Sequence, residues 1–210
     1  MCKPRVLVGI QARLGSTRFP RKIEALIHGK PMLQHVYDRA CEIPGVDVVW
    51  ALMLVGETVC GYRGAAWWGT QPEGDVLARY HAAAADAEAD VIMRLTGDCP
   101  ALNPAVCAIV LWTLLADSSL RYVSNSWHQE HGGYPSGLDC EVFTREALNE
   151  AARLASTPDD REHVTPWMQR HAGLAGAHIW ATSPWNGPAK LSVDTPEDLA
   201  VVTEWLDATP

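Results

Sequence analysis

The sequence predicts an α/β fold built on a largely parallel sheet, and three observations lead there. Val6-Leu7-Val8-Gly9-Ile10 is short, apolar, rich in β-branched residues and unbroken, the pattern of a strand covered on both faces. Similar apolar runs then alternate along the chain with segments of helical periodicity, as β-α-β units require. The stretch leaving the first run is strongly basic: six of the seventeen Lys and Arg residues, Lys3, Arg5, Arg13, Arg18, Arg21 and Lys22, precede the first acid, Glu24. Ligands of open α/β sheets gather outside the carboxyl ends of strands, so this loop lies where a polyphosphate would bind.

The elements follow in order. Lys30-Pro31 opens a predicted helix, with proline in its first turn and Leu33, Val36, Tyr37 and Ala40 on one face. Residues 47–54 read as a second buried strand. Residues 55–74, punctuated by Gly56, Gly61, Gly64 and Gly69, read as irregular, with Trp67-Trp68 as a short strand. Residues 75–89 are Ala-rich and helical, and 90–95 form the next strand. Asn103-Pro104 caps a helix reaching Asp117, and strands follow at 122–126 and 139–143. Thr144 begins another helix, and 160–170 spans a further one. A strand at 190–193 leads into a last helix started by Thr195-Pro196-Glu197-Asp198, with Val201, Val202 and Trp205 on its apolar side. With no repeats, low-complexity tracts or linkers, residues 1–210 are expected to form one domain.

Composition narrows the functional classes. A chain of 210 residues fits a domain that buries roughly 70% of its unfolded surface and needs no disulfide or metal staple. With 48% hydrophobic and 20% charged residues it reads as an ordinary globular protein. The net charge of −8 argues against nonspecific nucleic-acid binding, which needs an extended basic face rather than one loop. Cys2, Cys41, Cys60, Cys99, Cys107 and Cys140 form no C-x-x-C pair, which suits a reducing, cytoplasmic setting. No signal-peptide pattern is evident, and no segment approaches the roughly 18 apolar residues of a membrane span. The nine tryptophans read as core and interface, with Trp127 or Trp185 able to line a pocket.

Within the basic loop, Gly15, Ser16 and Thr17 can present N–H groups and hydroxyls to phosphate oxygens, and Arg13, Arg18, Arg21 and Lys22 supply charge. The spacing is not that of a P-loop, and there is no G-x-G-x-x-G fingerprint. A solvated basic surface loop is the plain alternative. Two acids stand at the expected carboxyl ends of strands: Asp98 in Leu95-Thr96-Gly97-Asp98-Cys99-Pro100, and Asp194 in Leu191-Ser192-Val193-Asp194-Thr195-Pro196. If the sheet is parallel there, both face the crevice that receives the loop. Magnesium favours one or two carboxylates plus phosphate oxygens, so the set is a coherent metal–nucleotide site. The alternatives are an Asx-turn for Asp98 and a helix cap for Asp194.

These stretches carry a resemblance. Residues 10–22, Gly29-Lys30-Pro31-Met32-Leu33, Gly74-Asp75-Val76-Leu77-Ala78-Arg79-Tyr80, Arg94-Leu95-Thr96-Gly97-Asp98-Cys99-Pro100, Gly137-Leu138-Asp139-Cys140-Glu141-Val142-Phe143, Arg161-Glu162-His163-Val164-Thr165-Pro166 and 193–199 together resemble the acylneuraminate and 3-deoxy-manno-octulosonate cytidylyltransferases. Within that family, the sequence looks similar to the shorter branch assigned to spore-coat polysaccharide biosynthesis. The resemblance implies a three-layer nucleotide-diphospho-sugar transferase fold, GT-A-like and Rossmann-like. It also implies magnesium-dependent transfer of CMP from CTP to a small anionic acceptor, with release of pyrophosphate, and a homodimer.

On this resemblance Arg13, Lys22, Asp98 and Asp194 are catalytic, and Asp98 and Asp194 hold the metal. Nucleotide contacts pass to Gln11, Ala12, Arg13, Gly15, Ser16, Thr17, Arg18, Lys22 and Asp98. The acceptor, an acidic sugar, sugar phosphate or phosphonate-type compound, passes to Tyr134, Asp139, Glu141, Arg161 and His163, where Arg161 could grip an anion with both nitrogens and His163 could orient it or take a proton. An exposed helix start with local ion pairs is the plainer reading of Arg161-Glu162-His163.

Two departures mark this chain. Arg21 stands where the family has glycine, and Ala51-Leu52-Met53-Leu54 stands where it has small polar residues and acids, ahead of a shortened segment that helps form the base pocket in relatives. His128 and His131 do not make an H-E-x-x-H zinc motif and read as a loop near the acceptor. A GT-A glycosyltransferase using a nucleotide sugar is the alternative enzyme, usually marked by an Asp-x-Asp motif that this sequence lacks. A binding protein that keeps the fold is the other alternative, against which the four charged residues argue.

Overall fold

Strand β1 (Val6–Gln11) runs through the middle of a seven-stranded sheet ordered β5-β4-β1-β6-β8-β7-β9, in a computed structural model that describes residues 3–126, 133–171, 176–181 and 185–209. The other sheet strands are β4 (Val48–Leu54), β5 (Ala66–Gly69), β6 (Val91–Thr96), β7 (Tyr122–Ser124), β8 (Glu141–Thr144) and β9 (Gly176–His178). β1 pairs parallel with β4 and β6, β4 with β5, and β7 with β9; only β8 runs against its two neighbours. The largely parallel sheet read from the sequence is therefore present, with β8 as its reversed member.

Alternation along β1 builds two cores. Val6, Val8 and Ile10 point to the side covered by α1 (Met32–Cys41), α3 (Pro104–Ala116) and α7 (Pro196–Ala208). Leu7 points to the side covered by α2 (Val76–Asp86), α4 (Arg145–Leu154) and the short helix α6 (Pro166–Arg170). Three layers result, and β1 is fully covered from Val6 to Ile10, as its unbroken apolar run demands.

Several local rules hold in detail. Asn103 caps α3 through its side chain, Thr144 caps α4, and Thr195 with Asp198 forms a capping box on α7. The Trp67-Trp68 strand is β5. No helix of the described residues is long and apolar enough to cross a membrane.

Four expectations are corrected. Lys30-Pro31 stands before the expected helix rather than in its first turn: Pro31 is the N-cap, and Lys30–Pro31 is strand β3, paired with β2 (Leu26–Ile27) around His28 and Gly29, both at positive φ, as a two-residue hairpin turn needs. Helix α1 starts only at Met32. The single helix expected at 160–170 is two, α5 (Pro158–His163) and α6, because Val164 turns the chain at φ 70° and Pro166 cannot continue the first hydrogen-bond ladder. Residues 190–193 form no strand; one bridge joins Lys190 to Ser136, and Val193 N–H bonds to the Asp98 carbonyl instead. Val201 is 45% exposed, so the buried face of α7 centres on Val202.

One contact under the sheet carries a stability prediction. The Tyr80 hydroxyl donates to the Gly9 carbonyl at 2.6 Å, and a Cβ at Gly9 would lie 2.5 Å from the Tyr80 ring and 2.9 Å from Leu52. Gly9→Ala must push a fully buried ring away from β1. We expect a loss of about 1–3 kcal/mol, read as a lower urea midpoint with an unchanged slope.

Candidate active site

β1 ends at Gln11, and the chain leaves the sheet through the basic loop before re-entering order as a 3-10 turn at Lys22–Glu24. The loop folds back on itself, with the N–H groups of Ser16 and Arg21 both bonding to the Leu14 carbonyl. Glu57 fastens it from outside: one carboxylate oxygen accepts from Leu14 N at 3.2 Å and the other from Leu54 N at 2.9 Å. Arg21 takes a left-handed conformation (φ 55°, ψ 30°) and pairs with Glu24 at 2.6 and 2.7 Å. Its charge therefore steadies the turn rather than facing the pocket.

The loop shapes one wall of a cavity of about 350 Å³. Gln11, Arg13, Gly15, Ser16, Thr17, Arg18, Lys22 and Asp98 line it, as do Asp194 and His163. Ala12 is fully buried behind the wall, its N–H bonded to the Leu52 carbonyl. Ile23, Arg94, Thr96, Gly97 and Glu162 also line the cavity and were not singled out as contacts by the sequence.

Lys22 is the hub. Its ammonium donates to Asp98 Oδ2 at 2.6 Å, to Asp194 Oδ1 at 3.0 Å and to the Val193 carbonyl at 2.9 Å, with only 13% of the side chain exposed. Arg18 reaches Asp194 Oδ1 at 2.9 Å and Lys190 reaches its Oδ2 at 3.0 Å. Burial pushes the Asp194 carboxyl up, but hydrogen bonds and charge from Lys22 and Lys190 outweigh it and hold the group at about 2. Capping of α7 falls to Thr195 and Asp198, which leaves the Asp194 carboxylate to the site.

Backbone contacts bring these groups together. Gly97 N–H bonds to the Gln11 carbonyl at 2.9 Å and Val193 N–H to the Asp98 carbonyl at 2.9 Å, so loop, β6 end and C-terminal segment are tied in series. Gly137, at φ 103°, lets residues 191–192 pass: a Cβ there would sit 2.2 Å from the Leu191 carbonyl carbon. Two carboxylates and a carbonyl oxygen aimed at one cation are hard donors of the kind magnesium takes alongside substrate phosphates. Among the described residues no set of three His, Cys, Asp or Glu side chains could hold a metal.

The acceptor residues expected from the sequence scatter. His163 lines the cavity, with its ring 3.7 Å from Asp159. Arg161 instead grips Asp75 through two nitrogens at 2.8 and 2.7 Å. Glu141, 4% exposed, lies beneath the floor and accepts from Arg94, Tyr122, Thr165 and Gln169. Asp139 accepts from Gly137 N–H, and Tyr134 packs partly buried against the larger core. Trp185 packs at a tilt of 50° against Trp205, with ring centroids 5.4 Å apart, and does not line the cavity; Trp127, His128 and His131 lie outside the described residues.

The cavity is balanced charge against charge. Arg13 meets Glu162 at 2.9 Å, Arg18 and Lys22 meet the aspartates, and Arg94 meets Glu141. Arg94 also donates to Gln11 Oε1 at 3.0 Å, which links the floor to the end of β1.

Comparison with known proteins adds the chemistry's context. Residues 7–185 match the cytidylyltransferase family. The 3-deoxy-manno-octulosonate cytidylyltransferase of Escherichia coli is 33% identical over 175 residues, 81% of this chain and 71% of that one. Those of Geobacter metallireducens and Maricaulis maris are 36% and 38% identical, but the match covers only 45% and 47% of their lengths. The fold superposes on a cytidylyltransferase from Leptospira borgpetersenii with a TM-score of 0.86 at 21% identity, covering 100% of this chain and 89% of the other. A CMP:2-keto-3-deoxy-manno-octonic acid synthetase complexed with CTP gives 0.73 at 22% identity, covering 98% and 100%.

The depressed carboxyl of Asp194 has a measurable sign. Because its value falls from 3.8 to about 2 on folding, its contribution to stability is complete above pH 3.8 and is lost as pH drops through 2. Urea titrations of wild type and Asp194→Asn from pH 5 to 2 should therefore converge toward the acid end. A gap between the two that stays constant across that range would show that the carboxylate is not so held.

Proposed function

Because the chain belongs to the cytidylyltransferase family, we propose that it transfers CMP from CTP to a small anionic acceptor, an acidic sugar being the default, and releases pyrophosphate. The observation that carries this reading is the meeting of Lys22 with Asp98 and Asp194 at the mouth of a loop rich in arginine and N–H donors. The E. coli relative named for 3-deoxy-manno-octulosonate supports the acceptor class. The reading includes magnesium, a homodimer and a cytoplasmic setting, for which the free thiols of Cys41, Cys60, Cys99, Cys107 and Cys140 are suited.

In this mechanism the triphosphate enters along residues 13–18. Gly15, Ser16 and Thr17 approach its oxygens with backbone and hydroxyl donors, and Arg13 and Arg18 neutralise charge. Lys22 turns from the two carboxylates to the phosphates, where its ammonium offsets the charge that develops as pyrophosphate leaves. Asp98 and Asp194 would hold the magnesium ion, which when bound supplies further positive charge to the triphosphate. An acceptor oxygen attacks the α-phosphorus in line, and catalysis rests on position and fixed charge rather than on a covalent intermediate.

Pyrophosphate release on mixing the protein with CTP, magnesium and a panel of acidic sugars, sugar phosphates and phosphonates tests the reading directly. Transfer from a nucleotide sugar, with no pyrophosphate from CTP, would replace it with a glycosyltransferase. Lys22→Met should lower kcat by about 10²–10³-fold, the size of losing one fixed charge-stabilising group.

Metal binding should also depend on nucleotide. Without CTP the two carboxylates already face Lys22, Arg18 and Lys190. Mn2+ resonance spectra should therefore show little bound ion with protein alone, and a bound signal once CTP is added. Equal binding with and without CTP would contradict this.

A further inference from the structure

Glu162 has no assigned role, yet it lines the cavity and meets the basic loop through Arg13. It stands on α5, and its Oε1 takes Arg13 Nη1 at 2.9 Å, with about a third of each side chain exposed (39% for Arg13, 36% for Glu162). The turn at Val164, two residues after it, held at φ 70° with the side chain fully buried, fixes where α5 ends and so where this carboxylate points. Arg13 leaves β1 with the rest of the phosphate loop. A triphosphate that reaches Arg13 meets a carboxylate on its flank, and the two anions repel.

The other acids of the cavity are otherwise engaged. Asp98 is bound to Lys22, and Asp194 to Lys22, Arg18 and Lys190. Glu141 is buried beneath the floor with four donors around it. Glu162 is the most exposed of these carboxylates, at 36% against 25% for Asp98, 23% for Asp194 and 5% for Glu141, and its described cation is one that the nucleotide itself would claim. Once Arg13 turns to phosphate, Glu162 faces the cavity beside His163 with an unshared lone pair.

We propose that Glu162 is a further catalytic residue, which holds Arg13 in the empty pocket, yields it to the triphosphate and then accepts the proton of the acceptor hydroxyl. The acceptor oxygen forms its bond to the α-phosphorus as its O–H proton passes to the Glu162 carboxylate. The bond from the α-phosphorus to the bridging oxygen breaks, and that oxygen leaves with the electron pair as part of pyrophosphate. The inference rests on the cytidylyltransferase reading and adds to it the group that takes the proton.

The test separates binding from transfer. In Glu162→Gln, with magnesium present, CTP should bind about two- to fivefold more tightly, the worth of an exposed ion pair no longer to be broken, while kcat falls about 10²-fold, the lower range for a lost general base. In Glu162→Ala, added formate should restore part of the lost turnover. Weaker CTP binding in Glu162→Gln overturns the release of Arg13; an unchanged kcat, or no rescue by formate, overturns the proton transfer. A wild-type protein that makes no pyrophosphate from CTP with any acceptor defeats the underlying reading and this inference with it, whereas an active wild type with a fully active Glu162→Gln defeats the inference alone.

Discussion

One ammonium group organises this molecule's chemistry. Lys22 draws together two aspartates that lie 76 and 172 residues away in the chain, and it does so in a setting where little water reaches it. Two carboxylates brought this close would repel, and partial burial sharpens that repulsion, so the cation is a condition of the arrangement rather than an ornament to it. The same balance makes the empty pocket stable and the occupied one different. A ligand that brings its own negative charge can draw Lys22, Arg18 and Arg13 toward itself only as their acidic partners find other cations.

That hub is held by parts with no direct role in the chemistry. The Gly9–Tyr80 contact seats β1 against α2, and Glu57 pins the loop to the end of β4. Arg94 and Glu141 face each other across the antiparallel β6–β8 pair, where the register sets Arg94 opposite Glu141, and they carry Tyr122, Thr165 and Gln169 into one buried network. The network meets the Glu141 carboxylate with four donors, as a buried charge requires, and leaves Arg94 Nε without a hydrogen-bond partner among the described residues. It supports the floor of the cavity and, through Thr165, the segment that begins just after Glu162 and His163.

Much of this was legible in the sequence, for physical reasons. Unbroken apolar runs identify doubly covered strands, and the acid-free start of the chain isolates the basic loop; both are local signals. Asp98 and Asp194 could be paired because strand ends in a parallel sheet share one edge, although Asp194 reaches that edge from an irregular segment rather than a strand. The reversal at β8, the hairpin of Leu26–Ile27 with Lys30–Pro31 and the break at Val164 were hidden, since each depends on a turn or a partner far off in sequence. His28-Gly29 was the available hint for the hairpin. Glu162 and Arg94 were missed as pocket residues because a charge on a helix or in a strand looks the same whether it meets solvent, a neighbour or a cavity. Arg161, read for its chemistry, turned out to serve Asp75.

The thread that passes Gly137 has a consequence for how the protein is made. Asp194 is carried to the site by residues 190–193, which cross the backbone beside Gly137 and bond to Asp98 through Val193. A nascent chain that has left the ribosome as far as α6 already holds the loop, Lys22 and Asp98, but its ammonium has only half its acidic partners. Assembly of the charge cluster therefore comes late in synthesis, and translation that halts before this crossing yields a sheet already largely paired but without the second aspartate.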